Sequence, residues 1–178
     1  HPNFFSWSKI KSLFWRDGAL AQNQELKVLR ANFRNGRETT RVANTLLKIK
    51  HCRFGSIDRE SNFLVDSVAD QAGSVNLLPD TDSIKRELNQ KTRQSTQFAV
   101  LVMRDEDKAD ARAYFQTPLI FAIHEAKGLE YENIVLYRLV SGHRQEFAAI
   151  VEGIAAADLN AEHLHYGGSK DKTDKSIE

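Results

Sequence analysis

Three short apolar runs constrain this chain's fold more than any other feature. They are Phe98-Ala99-Val100-Leu101-Val102-Met103, Pro118-Leu119-Ile120-Phe121-Ala122-Ile123 and Asn133-Ile134-Val135-Leu136-Tyr137. A strand that is apolar at successive positions has no face for water, so it belongs in a sheet covered on both sides. Helical patterns separate and precede these runs. Asp107 to Phe115 reads as one helix and Asp82 to Gln94 as another. A third begins after Asn35, with Val42, Ala43, Leu46, Leu47 and Ile49 on one face and Asn35 paired with Glu38 as a capping box. Leu26 to Leu29 and Ser74 to Leu78 add two shorter strands, the second closed by Pro79. Phe147, Ile150, Val151 and Ile154 mark a last helical face, and Ile10, Leu13 and Phe14 a short amphipathic one near the start. This alternation predicts an α/β fold, a mostly parallel sheet with helices on both faces.

Composition narrows the functional classes. A chain of 178 residues is one domain or one lobe of something larger, and 41% apolar with 28% charged residues argues against disorder and fibrous structure. A single cysteine, Cys52, rules out an internal disulfide framework and a multi-cysteine zinc site. No apolar run approaches the roughly 18 residues of a membrane span. The opening His1-Pro2-Asn3-Phe4-Phe5 lacks the pattern of a signal peptide, so a cytoplasmic, reducing setting is expected. The formal net charge of +1 hides an asymmetry: residues 1–60 hold 12 Lys and Arg against 5 Asp and Glu, and the rest of the chain 13 against 19. A basic N-terminal third suits phosphates, although a solvated surface accounts for the same bias.

Ligands of parallel sheets bind at the carboxyl ends of strands, which singles out two polar turns, Asn32 to Gly36 and His124 to Glu130. The first sets Phe33 beside Arg34. A guanidinium makes forked bonds to phosphate oxygens and keeps its charge at neutral pH, and a flat ring beside it can stack on a nucleobase. On these two residues alone, a core phenylalanine and a surface arginine paired with a carboxylate is the simpler reading. In the second turn His124, Lys127 and Glu130 recur every third residue, which in a tight helical turn puts them on one side. Gly128 allows the chain to turn or to approach a ligand closely. A donor-acceptor, a cation and a carboxylate together suit a sugar hydroxyl or a phosphate; a surface ion pair around a loop glycine is the plain alternative.

The same residues carry a resemblance. His124-x-x-Lys127-Gly128-Leu129-Glu130-Tyr131, followed by Asn133-Ile134-Val135-Leu136, resembles motif V of the UvrD/Rep-like superfamily 1 DNA helicases. Leu29-x-x-Asn32-Phe33-Arg34, followed by Val42-Ala43-Asn44-x-Leu46-Leu47, resembles motif IV of that family, and the two come in the family's order. The resemblance spans roughly residues 1–140 and is firmest in the two motifs. It implies the second RecA-like lobe of a two-lobed, ATP-driven motor. In that family Arg34 would touch the γ-phosphate as the catalytic arginine, Phe33 would stack on adenine where the family usually has tyrosine, and Glu130 would bond the ribose. Gly128 falls with the ATP contacts. His124 and Lys127 fall on the single-stranded DNA track, with one of Phe4, Phe5 and Trp7 stacking on a base. Arg34 and Glu130 would then sit at the ends of neighbouring strands and form half of one triphosphate pocket.

The resemblance also assigns partners. The chain has no Gly-x-x-x-x-Gly-Lys-Ser/Thr string and no acidic pair of the first-lobe kind, so ATP and Mg are expected to be held mainly by a first RecA-like lobe. Residues 1–25 would follow motif III, 26–166 would form the lobe, and 167–178 a flexible tail cut before motif VI. The expected function is the C-terminal motor lobe of an ATP-dependent DNA helicase or translocase, inactive alone, with single-stranded DNA and the first lobe as partners and no membrane. The alternative is a helicase-like lobe retained as a protein-interaction module without ATPase activity. The remaining polar residues read plainly. Cys52 is a thiol without chemistry, His143 a loop residue, His163 and His165 a poor metal pair, and Asp105-Glu106-Asp107 a solvated helix start rather than a metal site.

Overall fold

The structure, a computed structural model, describes residues 30–54 and 64–160. The expected strand over 26–29, the aromatic segment with Phe4, Phe5 and Trp7, His163, His165 and the tail lie outside the described residues. The described chain runs β1 (Ala31–Asn32), α1 (Arg37–Phe54), β2 (Asp66–Ser67), α2 (Asp82–Thr92), β3 (Phe98–Val102), α3 (Asp107–Tyr114), β4 (Ile120–Ala122), β5 (Asn133–Leu136) and α4 (Arg144–Val151). Short 3-10 turns fall at Ser141–His143 and Ala156–Asn160. The protein is an α/β chain, and every strand pair among the described residues is parallel. The strands divide between two small sheets, β1 with β2 and β4-β3-β5. No helix among the described residues is long and apolar enough to cross a membrane.

Two compact units share these elements: the described parts of residues 1–75 and 148–178 form one, and Asn76–Phe147 the other. In the second unit, register explains the core. Val100 of β3 pairs with Ile120 and Val135, and Val102 with Ala122. Side chains alternate across a strand, so these residues share one face. Against it pack Ala111 and Phe115 of the α3 segment, Leu88 of α2 and Tyr137, whose ring meets Phe115 edge-on at 5.3 Å. Ala99, Val100 and Val102 are fully buried, as the unbroken apolar run requires.

The opposite face carries Leu101, Phe121, Ile134 and Leu136. β4 and β5 are parallel neighbours of β3, so residues 123–132 must travel back along the sheet between them. The Tyr131 ring stands 6.0 Å from that of Phe121, so this return segment lies over the face opposite α3. Cover by helices was expected on both faces; here α2 and α3 cover one, and a loop crosses the other. β5 differs from expectation for this reason. Its Ile134 and Leu136 are 51% and 57% exposed: among the described residues β5 is an edge strand of its sheet, and the returning loop reaches the β4 side.

Other departures have local causes. Residues 74–78 join neither sheet, and Leu77 is 99% exposed. The strand of this region is β2, too short and too polar to show an alternation. α1 turns a mixed face inward, with Val42, Leu47 and Ile49 half-buried beside polar residues. Thr40 is buried and Asn44 exchanges two hydrogen bonds with the backbone of Val65 at 2.8 and 3.1 Å, while Leu46 stays 55% exposed. Lys48 Nζ donates to the Leu159 carbonyl at 2.8 Å, fixing the Ala156–Asn160 turn on the same helix. The Asn35–Glu38 box is not made, since the Glu38 N–H donates to the Ala72 carbonyl at 3.0 Å and its carboxylate takes Arg41 instead. A Cβ on Gly36 would stand 2.5 Å from the same Ala72 oxygen, so only glycine lets the two backbones meet. His143 is not a loop residue. It ends a 3-10 turn with its Nε2 3.0 Å from Asp107 Oδ2.

Candidate functional site

Both singled-out turns follow parallel strands, one in each unit. After β1, the Asn32 carboxamide oxygen accepts the N–H groups of Arg34 at 3.0 Å and Asn35 at 3.1 Å, an Asx turn. Asn32 Nδ2 donates to Thr40 Oγ1 at 3.3 Å, and Thr40, only 3% exposed, anchors the turn to α1. Ser67 Oγ of β2 closes it from the other side with a 2.7 Å bond to the Asn35 carbonyl. Phe33 and Arg34 therefore project from a backbone held at three points. Phe33 is 78% exposed, so it is not the core phenylalanine of the simpler reading. A rigid turn carrying an open ring beside a guanidinium can take a planar base and an anionic group together. Asn32 builds this turn, and its role was hidden because an asparagine before a turn is common.

After β4 the chain makes two successive turns. The N–H groups of Glu125 and Ala126 donate to the Ala122 carbonyl, and that of Leu129 to Ala126. Gly128 then takes a φ of 89° and sends the chain back along the sheet. Sequence reading put His124, Lys127 and Glu130 on one side of a helical turn. The left-handed Gly128 breaks that turn, leaving His124 at the carboxyl end of β4 and Glu130 on the returning segment. His124, Lys127 and Glu130 are all exposed.

An ion-pair cluster sits at the root of this second turn. Lys108 Nζ of α3 lies 2.7 Å from Asp105 Oδ1 and 2.5 Å from Glu125 Oε2. Glu125 Oε2 also accepts the Ala122 N–H at 2.9 Å, and His124 Nε2 is 3.4 Å from Asp105 Oδ2. The Lys108 ammonium, followed by the Ala122 N–H, holds the Glu125 carboxyl below its usual range, and the same ammonium lowers Asp105. The two carboxylates in turn raise Lys108. One ligand atom from each of Asp105, His124 and Glu125 falls within 4.8 Å of the others, a spacing suited to a cation. Lys108 already supplies a positive charge there, which offsets one of the two carboxylates. No motif announced Lys108 or Glu125, and the helix-start reading of Asp105 missed its part in the cluster.

Further round the same sheet end, Asp107 Oδ2 accepts the Arg104 N–H at 3.0 Å as well as facing His143. Arg138, at the end of β5, has the unusual φ of 49° and bonds Asp110 Oδ2 at 2.9 Å. Asp110 also accepts the Tyr137 hydroxyl at 3.1 Å; burial, aided by this bond, pushes that phenol up to about 12.

No family model, curated protein or solved structure matches the chain.

Proposed function

We propose that the chain is the second RecA-like motor lobe of an ATP-dependent DNA helicase or translocase of the UvrD/Rep-like kind. The observation that carries the reading is the pairing of motif-like sequence with its setting. The His124–Tyr131 string leaves the carboxyl end of a parallel strand, turns at a left-handed Gly128, and returns into the parallel β5. The exposed Phe33–Arg34 pair on its anchored turn is the second support. In this reading Phe33 stacks on adenine, Arg34 meets the γ-phosphate, and Gly128 and Glu130 belong to the nucleotide side. His124 and Lys127 face single-stranded DNA. The Phe33–Arg34 pair fits a base and a phosphate. In this reading Mg is held mainly by a first lobe, and the carboxylates at the turn after β4 serve Lys108.

ATP supplies the phosphoryl group. This chain supplies a fixed guanidinium where charge grows on the γ-phosphate, worth roughly 10³–10⁵ in rate for arginine fingers. The same arginine senses whether that phosphate is present. The chain alone is expected to give no ATP turnover. In the protein joined to its first lobe, Arg34→Ala is expected to abolish hydrolysis and leave nucleotide binding largely intact. Wild-type turnover in that variant removes Arg34 from its role. A second reading, an interaction module without ATPase activity, draws on the exposed Ile134 and Leu136; it requires that the joined protein also lack turnover.

A further inference from the structure

We propose that Lys108 is a positioning residue for the turn after β4, clamping the strand end that carries His124 so that the DNA-facing side chains keep one arrangement. The inference rests on the reading of His124 and Lys127 as DNA contacts. Three segments meet at this one ammonium: α3, which carries Lys108; the loop after β3, which carries Asp105; and the turn after β4, which carries Glu125. The lysine side chain is only 13% exposed while Asp105 is 60% exposed, so most of the lysine is covered, and its ammonium is shared by two carboxylates. With both carboxylates in its bonds, the ammonium acts through the segments that carry them.

The two carboxylates pass the constraint on in different ways. Glu125 Oε2 binds both the ammonium and the Ala122 N–H, which locks the first turn at the point where the chain leaves the sheet. Asp105 spans Lys108 with Oδ1 and the His124 imidazole with Oδ2. Without the ammonium, Asp105 and Glu125 are two like charges that push the loop after β3 and the turn after β4 apart. Lys108 therefore fixes the turn's geometry.

The test compares Lys108→Met with Lys108→Arg by two readouts on the whole chain. The first is amide hydrogen exchange at Glu125 and Ala126, with Val100 and Val102 of β3 as internal references. The second is fluorescence anisotropy with a labelled oligothymidylate over a range of salt. In K108M, exchange at Glu125 and Ala126 is expected to quicken roughly tenfold or more with β3 unchanged. Oligothymidylate affinity is expected to fall about tenfold at an unaltered salt slope, because no phosphate contact is lost. K108R should restore both. Unchanged exchange in K108M overturns the proposal, and so does a salt slope reduced by about one, the mark of a direct phosphate contact. Failure of the wild-type chain to bind oligothymidylate overturns the DNA reading instead, and the exchange data then decide the clamp alone. Should K108M not fold, Glu125→Gln tests the same link: faster exchange at Glu125 and Ala126 supports the clamp, and unchanged exchange overturns it.

Discussion

At the residue scale, single side chains hold each turn. Asn32 satisfies two backbone N–H groups and reaches Thr40, so one carboxamide does the work of a helix cap and a strand stop. Asn32→Ala is expected to cost about 1–2 kcal/mol, the range for losing a capping side chain, measured as a shift in the urea midpoint. The same variant frees Phe33 and Arg34, so it should weaken nucleotide binding in the joined protein more than its stability loss explains. Glycines separate two mechanisms. Gly36 has room for no Cβ, whereas Gly128 has open space around it and a φ of 89°. Gly36→Ala is expected to destabilise by about 1–3 kcal/mol through a backbone clash. Gly128→Ala is expected to cost roughly 1–2 kcal/mol through strain alone. Thermal unfolding of the two variants checks the ranking.

At the scale of elements, α3 is the piece on which the second unit depends. Ala111 and the Phe115 that ends the helix fill the covered face of the sheet, and Lys108, one turn earlier, ties down the turn after β4. Phe115→Ala is expected to cost about 3–5 kcal/mol, since a 2% exposed ring in a packed core leaves a cavity. Leu136→Lys on the edge strand should change stability by no more than about 0.5 kcal/mol, because that side chain is already in water. Chemical denaturation of both separates the covered face from the open one. The apolar string of β5 looks like that of β3, yet one is an edge and the other is central. Pattern alone does not carry strand order.

At the scale of the whole molecule, charge pairing bears on stability, and at the carboxyl ends of β3, β4 and β5 cations and carboxylates pair off. Asp105 and Glu125 titrate below their unfolded values in the folded chain, chiefly through Lys108. Their contribution to stability is therefore complete above the unfolded carboxylate range near pH 4 and disappears as pH falls through the lower folded values. Lys108 is raised, so its share is complete below its ordinary value and is lost as pH climbs through the folded one. In K108M the acid limb of a stability-against-pH curve should flatten. An unchanged limb would mean that other carboxylates govern acid unfolding. Salt should weaken these exposed pairs, and the effect of K108M on stability should shrink with it.

The amino-acid sequence by itself determined the element types. α2, β3, α3, β4 and β5 all lie where apolar runs and helical spacing put them, although the run of β5 did not foretell its exposure. It also marked the two turns, since each combines polar groups with a residue suited to a bend directly after a strand. Tertiary structure alone decided which strands pair, and so divided them into two sheets and left β5 at an edge. It decided that α1 faces inward with Thr40 and Asn44, because polar side chains become interior only when a neighbouring backbone offers them partners. It also brought Lys108 under Asp105 and Glu125. Residues separated along the chain meet in such a cluster only through the packing of a helix on a sheet, and no local periodicity records that.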